Sequence, residues 1–202
     1  MDTPYTWTID VETDFGGRAD EWSGVEKGIP LILDLFKKHN VKALFFLSTE
    51  LIEDFSGTLT PKPFFIMKKV MEAGHQIGSH GHFHHYYSSK QRLFEDRRLS
   101  DSILENSLNV SNPEYRAPKF DKRTWNLSTP YSDPKNHLSL LKMMWLGLKP
   151  NKDTILYLHP FDIVGGNNPP TLFCRMWYSR PEKALHLLNN LLVKYEGSNR
   201  LK

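Results

Sequence analysis

From position 5 to 11 the chain alternates Tyr, Trp and Ile with Thr and Asp, the two-residue period of a strand in β-branched and aromatic residues. Beyond a loop containing Gly16 and Gly17, Val25, Ile29, Ile32 and Phe36 recur at three or four residues, which predicts a helix burying one stripe and ending near Asn40. Ser23 and Glu26 stand at its start in capping-box spacing. Residues 42–47 are apolar on both faces, as expected of a parallel strand covered by helices. Thr60 and Pro61 predict the cap and first turn of a helix that runs through Ala73 and closes at Gly74. Residues 76–79 then read as a short strand, 91–107 as a helix, 114–116 as a brief strand and 154–159 as a strong one. Ser179 and Glu182 repeat the capping-box spacing ahead of a stripe of Leu185, Leu188 and Leu192.

Strand and helix alternate, which argues for an α/β architecture with parallel strands and right-handed crossovers, either an open sheet or a barrel. There is no internal repeat. Only 120–152, with Pro130, Pro134 and an apolar run over 138–148, fixes no register. A length of 202 residues suits one domain spanning 1–202, and 39% hydrophobic with 24% charged residues excludes disorder and fibrous repeats.

Charge narrows the partners. The 26 basic and 23 acidic side chains leave +3, and the basic residues come as scattered pairs such as Lys37-Lys38 and Arg97-Arg98, the pattern of solvated helix faces and not of a nucleic-acid surface. A lone Cys174 cannot form an internal disulfide and reads as small core filler. Asp2, Asp10, Glu12 and Asp14 occupy the first fourteen positions where a signal peptide would need an apolar core, and no run approaches the roughly 18 apolar residues of a membrane span. The expectation is a cytoplasmic protein without a membrane segment; oligomeric state is left open.

Two clusters carry candidate chemistry. Positions 80–85 hold His80, His82, His84 and His85, whereas nine histidines in 202 residues would put about 0.27 in a six-residue window by chance. Adjacent polar rings make a poor core, so the cluster reads as metal-binding. His80 and His84, four apart, can face the same way, with His82 and His85 as the alternative pair; His80 is favoured because it directly follows a strand end. The second cluster is Asp10, Glu12 and Asp14, which leave the first strand at alternate positions and can converge on one site. Arg116 and His159 each end a predicted strand, so Asp10, His80, Arg116 and His159 all fall at carboxyl ends of strands, the edge where α/β enzymes place their sites.

At these residues the chain resembles the polysaccharide deacetylases of the NodB-homology group, carbohydrate esterase family 4. The Thr-Phe-Asp-Asp opening is echoed by Thr8-Ile9-Asp10-Val11-Glu12, and the metal segment with two histidines four apart by 78–84. The Arg-x-Pro motif matches Arg116-Ala117-Pro118, and the Leu-x-His motif corresponds to Leu156-Tyr157-Leu158-His159. The resemblance implies a distorted (β/α) barrel of about seven strands and metal-assisted removal of an N-acetyl or related acyl group from an amino sugar or polysaccharide. It further implies a divalent metal, zinc ahead of cobalt, manganese or nickel, on His80, His84 and a carboxylate, acidifying a bound water. Asp10 would be the general base, His159 the acid that protonates the departing amine, and Arg116 the partner that keeps Asp10 ionised and oriented. The Lys119 N–H would help hold the oxyanion.

Three departures from the family pattern bear on that picture. Val11 stands where the aspartate ligand is usual, so the third ligand falls to Glu12, with Asp14 as fallback. A lysine, Lys119, replaces the frequent tyrosine after Arg-x-Pro. Arg116 and His159 are only 43 positions apart, and of the Asp/Trp motif expected between them only Asp121, Trp125 and Asp133 offer remnants. Two rival readings follow: an allantoinase-like ring-amide hydrolase, metal-independent in some relatives, and an inactive barrel that binds carbohydrate or serves as a subunit.

Overall fold

A computed structural model describes residues 5–14, 22–53, 57–85, 87–121, 130–131, 133–151, 153–165 and 171–194. Gly16, Gly17 and Trp125, and the side chain of Cys174, lie outside them. The strands are β1 (Tyr5–Val11), β2 (Leu44–Leu47), β3 (Gln76–Ser79), β4 (His137–Ser139) and β5 (Thr154–Leu158). The helices are α1 (Ser23–Lys38), α2 (Pro61–Glu72), α3 (Lys90–Leu108), α4 (Leu140–Leu146), α5 (Leu172–Trp177) and α6 (Pro181–Lys194).

Among the described residues the strands pair in parallel, in the order β3-β2-β1-β5-β4, with β1 central. Five strands, not seven, therefore build the distorted barrel among the described residues. The shortfall has two sources. Segment 114–116 makes only an isolated bridge, Tyr115 to Ser79, because Ser79 N–H donates to the Glu114 carbonyl (2.7 Å) and Arg116 N–H to the Ser79 carbonyl (3.0 Å) before the chain turns away. Among the described residues, the short span between Arg116 and the start of β5 then holds one strand, β4, of three residues. This is the stretch whose register was not legible.

The period-2 pattern of β1 sorts its side chains onto two faces. Trp7, Ile9 and Val11 join Val25, Ile29, Ile32 and Phe36 of α1 and Leu188 and Leu192 of α6 in the apolar core. Each such fully buried side chain contributes about 1.5–3 kcal/mol relative to exposure. Thr8, Asp10 and Glu12 lie on the other face and are buried as well.

Register levels the carboxyl ends. Val11 pairs with Leu47 and Leu47 with Ser79, while Ile9 pairs with Leu158. Glu12, His80 and His159 thus leave the sheet at one edge, each within a residue or two of a strand end. The turn Pro160–Asp162 that follows β5 packs against α1, where Gly28 is obligatory: a Cβ there would sit 2.2 Å from the Pro160 carbonyl oxygen.

Two predicted caps are corrected. The N-cap of α1 is Trp22, and the Ser23 hydroxyl instead donates to Asp14 Oδ2 (2.8 Å), whose Oδ1 accepts the Gly24 N–H (3.0 Å). The Ser179 hydroxyl donates backwards to the Met176 carbonyl (2.7 Å), ahead of the start of α6 at Pro181. Asp14 performs the capping that Ser23 was expected to perform, since a carboxylate at a helix start also meets the positive end of the dipole.

Candidate functional site

The site is built where β1, β3 and β5 end. Glu12 and His80 follow register-matched positions with β2 between them, a backbone separation of roughly 10 Å at about 4.8 Å per strand. The long glutamate arm spans it: Glu12 Oε2 lies 3.3 Å from His80 Nε2 and 2.6 Å from His84 Nε2. All three residues are buried, and their ligand atoms lie within 4.8 Å of one another.

The chemistry of this donor set fits a divalent cation. His80 Nδ1–H donates to the Arg116 carbonyl (2.8 Å), which leaves Nε2 with its lone pair turned toward Glu12. Glu12 Oε2 and His84 Nδ1 are buried with no hydrogen-bond partner among the described residues. Burial raises the Glu12 carboxyl, yet positive charge on the His84 and His80 side holds it well below the usual carboxylate range, and a cation held by neutral imidazoles would supply that charge. A carboxylate and imidazole lone pairs crowded out of water call for a positive charge between them.

Asp10 lies one strand position inward on the same face, with its neighbour fixed by charge. Arg116, fully buried, donates from Nη1 to Asp10 Oδ1 (2.5 Å) and from Nη2 to Thr8 Oγ1 (2.9 Å), and Thr8 in turn donates to the Leu156 carbonyl (3.0 Å). Burial pushes the Asp10 carboxyl up, but Arg116 and the nearby histidines pull it below its ordinary value. The guanidinium is packed between rings, 4.3 Å from the Phe46 centroid, 5.5 Å from Phe120 and 5.7 Å from Tyr157.

His159 brings its Nε2 to 3.5 Å from Glu12 Oε1. Its ring stacks on Phe161, and Asp162 Oδ2 accepts its backbone N–H (2.8 Å) and faces its Nδ1 (3.4 Å). Burial disfavours the imidazolium, but Asp162 foremost, then Glu12 and Asp10, push it up to about 9.

The alternatives left open by the sequence separate cleanly. His82 Nδ1 pairs with the Thr49 hydroxyl (3.0 Å) and His85 is exposed and stacked on Phe83, so neither is in the cluster. Asp14 is committed to the start of α1. Asp133 Oδ1 accepts the Lys135 N–H (3.0 Å) and caps the turn Pro134–Asn136. Lys119 follows Arg-x-Pro in a left-handed conformation, φ 55°.

Sequence reasoning missed three residues. Asp162 offered a signal, lying three positions after His159 in a one-turn capping box. Asp96, on α3, offered none, yet both its carboxylate oxygens are bonded to the histidine loop. His137, from the stretch without a register, places its ring edge-on to Phe120 (4.8 Å) and is pushed down to about 4 by burial and by Arg116.

A stretch of 59 residues is 41% identical to the peptidoglycan deacetylase of Helicobacter pylori, covering 29% of this chain and 17% of that protein. A stretch of 90 residues is 34% identical to the peptidoglycan-N-acetylglucosamine deacetylase of Bacillus cereus, covering 41% of this chain and 30% of that one. The matches thus span under a third of either relative. A variant of the peptidoglycan deacetylase PdaC from Bacillus subtilis shares the fold at a TM-score of 0.60 with 13% identity, over 96% of this chain and 85% of that one. The family model for polysaccharide deacetylase matches residues 20–141, a stretch that carries His80, His84 and Arg116. Since that match extends over more than half of the 202 residues, the chain belongs to the polysaccharide deacetylase family.

Proposed function

We propose that the protein is a metal-dependent hydrolase that removes N-acetyl or related acyl groups from an amino sugar or polysaccharide. The observation that carries this reading is the buried Glu12–His80–His84 group with two further reactive pairs beside it, Asp10 with Arg116 and His159 with Asp162. His80, His84 and Glu12 would hold a divalent ion, zinc by preference for two imidazoles and a carboxylate, with cobalt, manganese and nickel as alternatives. When bound, such an ion polarises an acyl carbonyl and acidifies a water.

The chain's own residues supply the proton traffic. Asp10, ionised and held by Arg116, is placed to accept a proton as general base. His159, protonated at neutral pH and oriented by Asp162, is placed to give one to the departing amine. A separate donor is needed because the base would act on the attacking water while the leaving amine would depart on the other side of the reacting carbon. The ring walls formed by Phe46, Phe120 and Tyr157 keep water from Arg116, which strengthens its hold on Asp10.

The test is acetate release from N-acetylglucosamine oligomers and from peptidoglycan fragments, the latter because both curated relatives are named for that polymer. Glu12→Gln and His84→Ala should lose the metal; Asp10→Asn should keep it and lose turnover. Stoichiometric metal without acetate release from any N-acetyl sugar would overturn the reading, as would hydrolysis of a ring amide by metal-free protein.

A further inference from the structure

Two ligands four residues apart face together naturally on a helical turn, but 80–85 is not helical in this chain. Something else must set the spacing of His80 and His84. The backbone groups of the loop show what does. The Gly81 and His82 carbonyls accept the N–H groups of Thr49 (3.1 Å) and Glu50 (3.1 Å), and the Phe83 carbonyl accepts the Tyr87 hydroxyl (2.8 Å). Of the three amides between the ligands, Gly81 N–H donates back to Ser79 Oγ (3.3 Å) and the other two go to one group: His82 N–H donates to Asp96 Oδ2 (2.8 Å) and Phe83 N–H to Asp96 Oδ1 (3.0 Å).

Asp96 is 7% exposed, and burying a carboxylate is tolerated only where hydrogen bonds replace its water. Here two charge-assisted bonds do so. Gly81 completes the fit. Its φ of +82° is one that side chains rarely adopt, and a Cβ at that position would lie 2.6 Å from Asp96 Oδ2. The carboxylate of Asp96 and the backbone conformation together therefore call for glycine at 81.

We propose that Asp96 is a positioning residue for the metal centre: by accepting the His82 and Phe83 amides it holds His80 and His84 at the separation that binds the ion. It offers no atom to the Glu12–His80–His84 group itself. The proposal rests on the metal-centre reading above.

The experiment compares zinc and cobalt affinity, the visible cobalt spectrum and amide hydrogen exchange in wild type, Asp96→Asn, Gly81→Ala and Leu104→Ala. The asparagine keeps the shape, but its nitrogen cannot accept, so one loop amide loses its partner. Asp96→Asn should bind metal about 10–100-fold more weakly, as outer-shell changes do, with an altered cobalt spectrum and faster exchange at His82 and Phe83. Gly81→Ala, pressing on the same carboxylate from the loop side, should show the same loss and serves if Asp96→Asn fails to fold. Leu104→Ala, a buried change elsewhere on α3, should lower stability and leave affinity as in wild type. Folded Asp96→Asn with wild-type affinity and spectrum would overturn the proposal while sparing the metal centre. A wild type that binds no metal would overturn both.

Discussion

Replacing Arg116 with methionine removes the guanidinium that faces Asp10 from within the ring cage while keeping a flexible side chain to fill it. In wild type, Asp10 is 3% exposed and Arg116 0%, and the guanidinium sits among Phe46, Phe120 and Tyr157. Water therefore cannot replace the lost bonds, which are Nη1 on Asp10 (2.5 Å) and Nη2 on Thr8 (2.9 Å). Breaking a buried pair from one side costs about 3–5 kcal/mol, because a carboxylate is left buried and unpaired. In a chain of this size that corresponds to a Tm lowered by about 6–20 °C, at roughly 2–4 °C per kcal/mol. Asp10→Leu, which strands the cation instead, should be comparably destabilising. The double variant removes both charges, and an apolar pair of similar volume is often neutral or better, so it should be at least about 2 kcal/mol more stable than the sum of the single losses predicts. Urea denaturation of the four proteins, followed by far-UV circular dichroism, measures the cycle. A loss under about 1 kcal/mol in Arg116→Met, or additivity within about 0.5 kcal/mol, would refute the reasoning.

Gly28→Ala should displace the Pro160–Asp162 turn by about 1 Å, since its Cβ would start 2.2 Å from the Pro160 carbonyl oxygen. A shift of that size at His159 is expected to lower turnover about a hundredfold with metal affinity unchanged; unaltered turnover sinks the prediction. Asp162→Asn should lower kcat and move the proton-donor limb of the pH–rate profile to lower pH, because Asp162 is what lifts His159 to about 9 against its burial; an unmoved limb argues against the pairing. His75 accepts the Ala43 N–H on Nδ1 (3.1 Å) and is pushed down to about 4, first by burial and then by Lys42. Its folded pKa is depressed, so its contribution to stability is complete above about pH 6.5 and is lost as pH falls toward 4. Wild type should lose about 2 kcal/mol more than His75→Gln between pH 7.5 and 5, and parallel pH–stability curves would exclude this role.

Much of the scaffold was legible because its signals are local. The alternation of 5–11 fixes one side of β1 toward the helices and the other toward the site, and the predicted strand ends bring Asp10, His80, Arg116 and His159 to one edge. Capping boxes were less dependable: Ser23 and Ser179 have the right spacing, but a hydroxyl bonds whichever partner the tertiary structure brings, and for Ser23 that partner is Asp14. The β4 register failed for a related reason, since three residues carry too few alternations to show a period.

What the sequence by itself determined is the set of chemical groups and the edge of the sheet that bears them. Which members of that set meet was decided in three dimensions. Glu12 rather than Asp14 meets the histidines because a strand leaves it on the inner face while the chain beyond Thr13 turns to cap α1, and His84 rather than His82 meets it in a loop that Asp96 ties at two of its three intervening amides. Asp96 lies 14 residues from His82 and Arg116 lies 106 from Asp10; their hydrogen bonds and charges act through space over about 3 Å, and spacing along the chain carries no record of such distances.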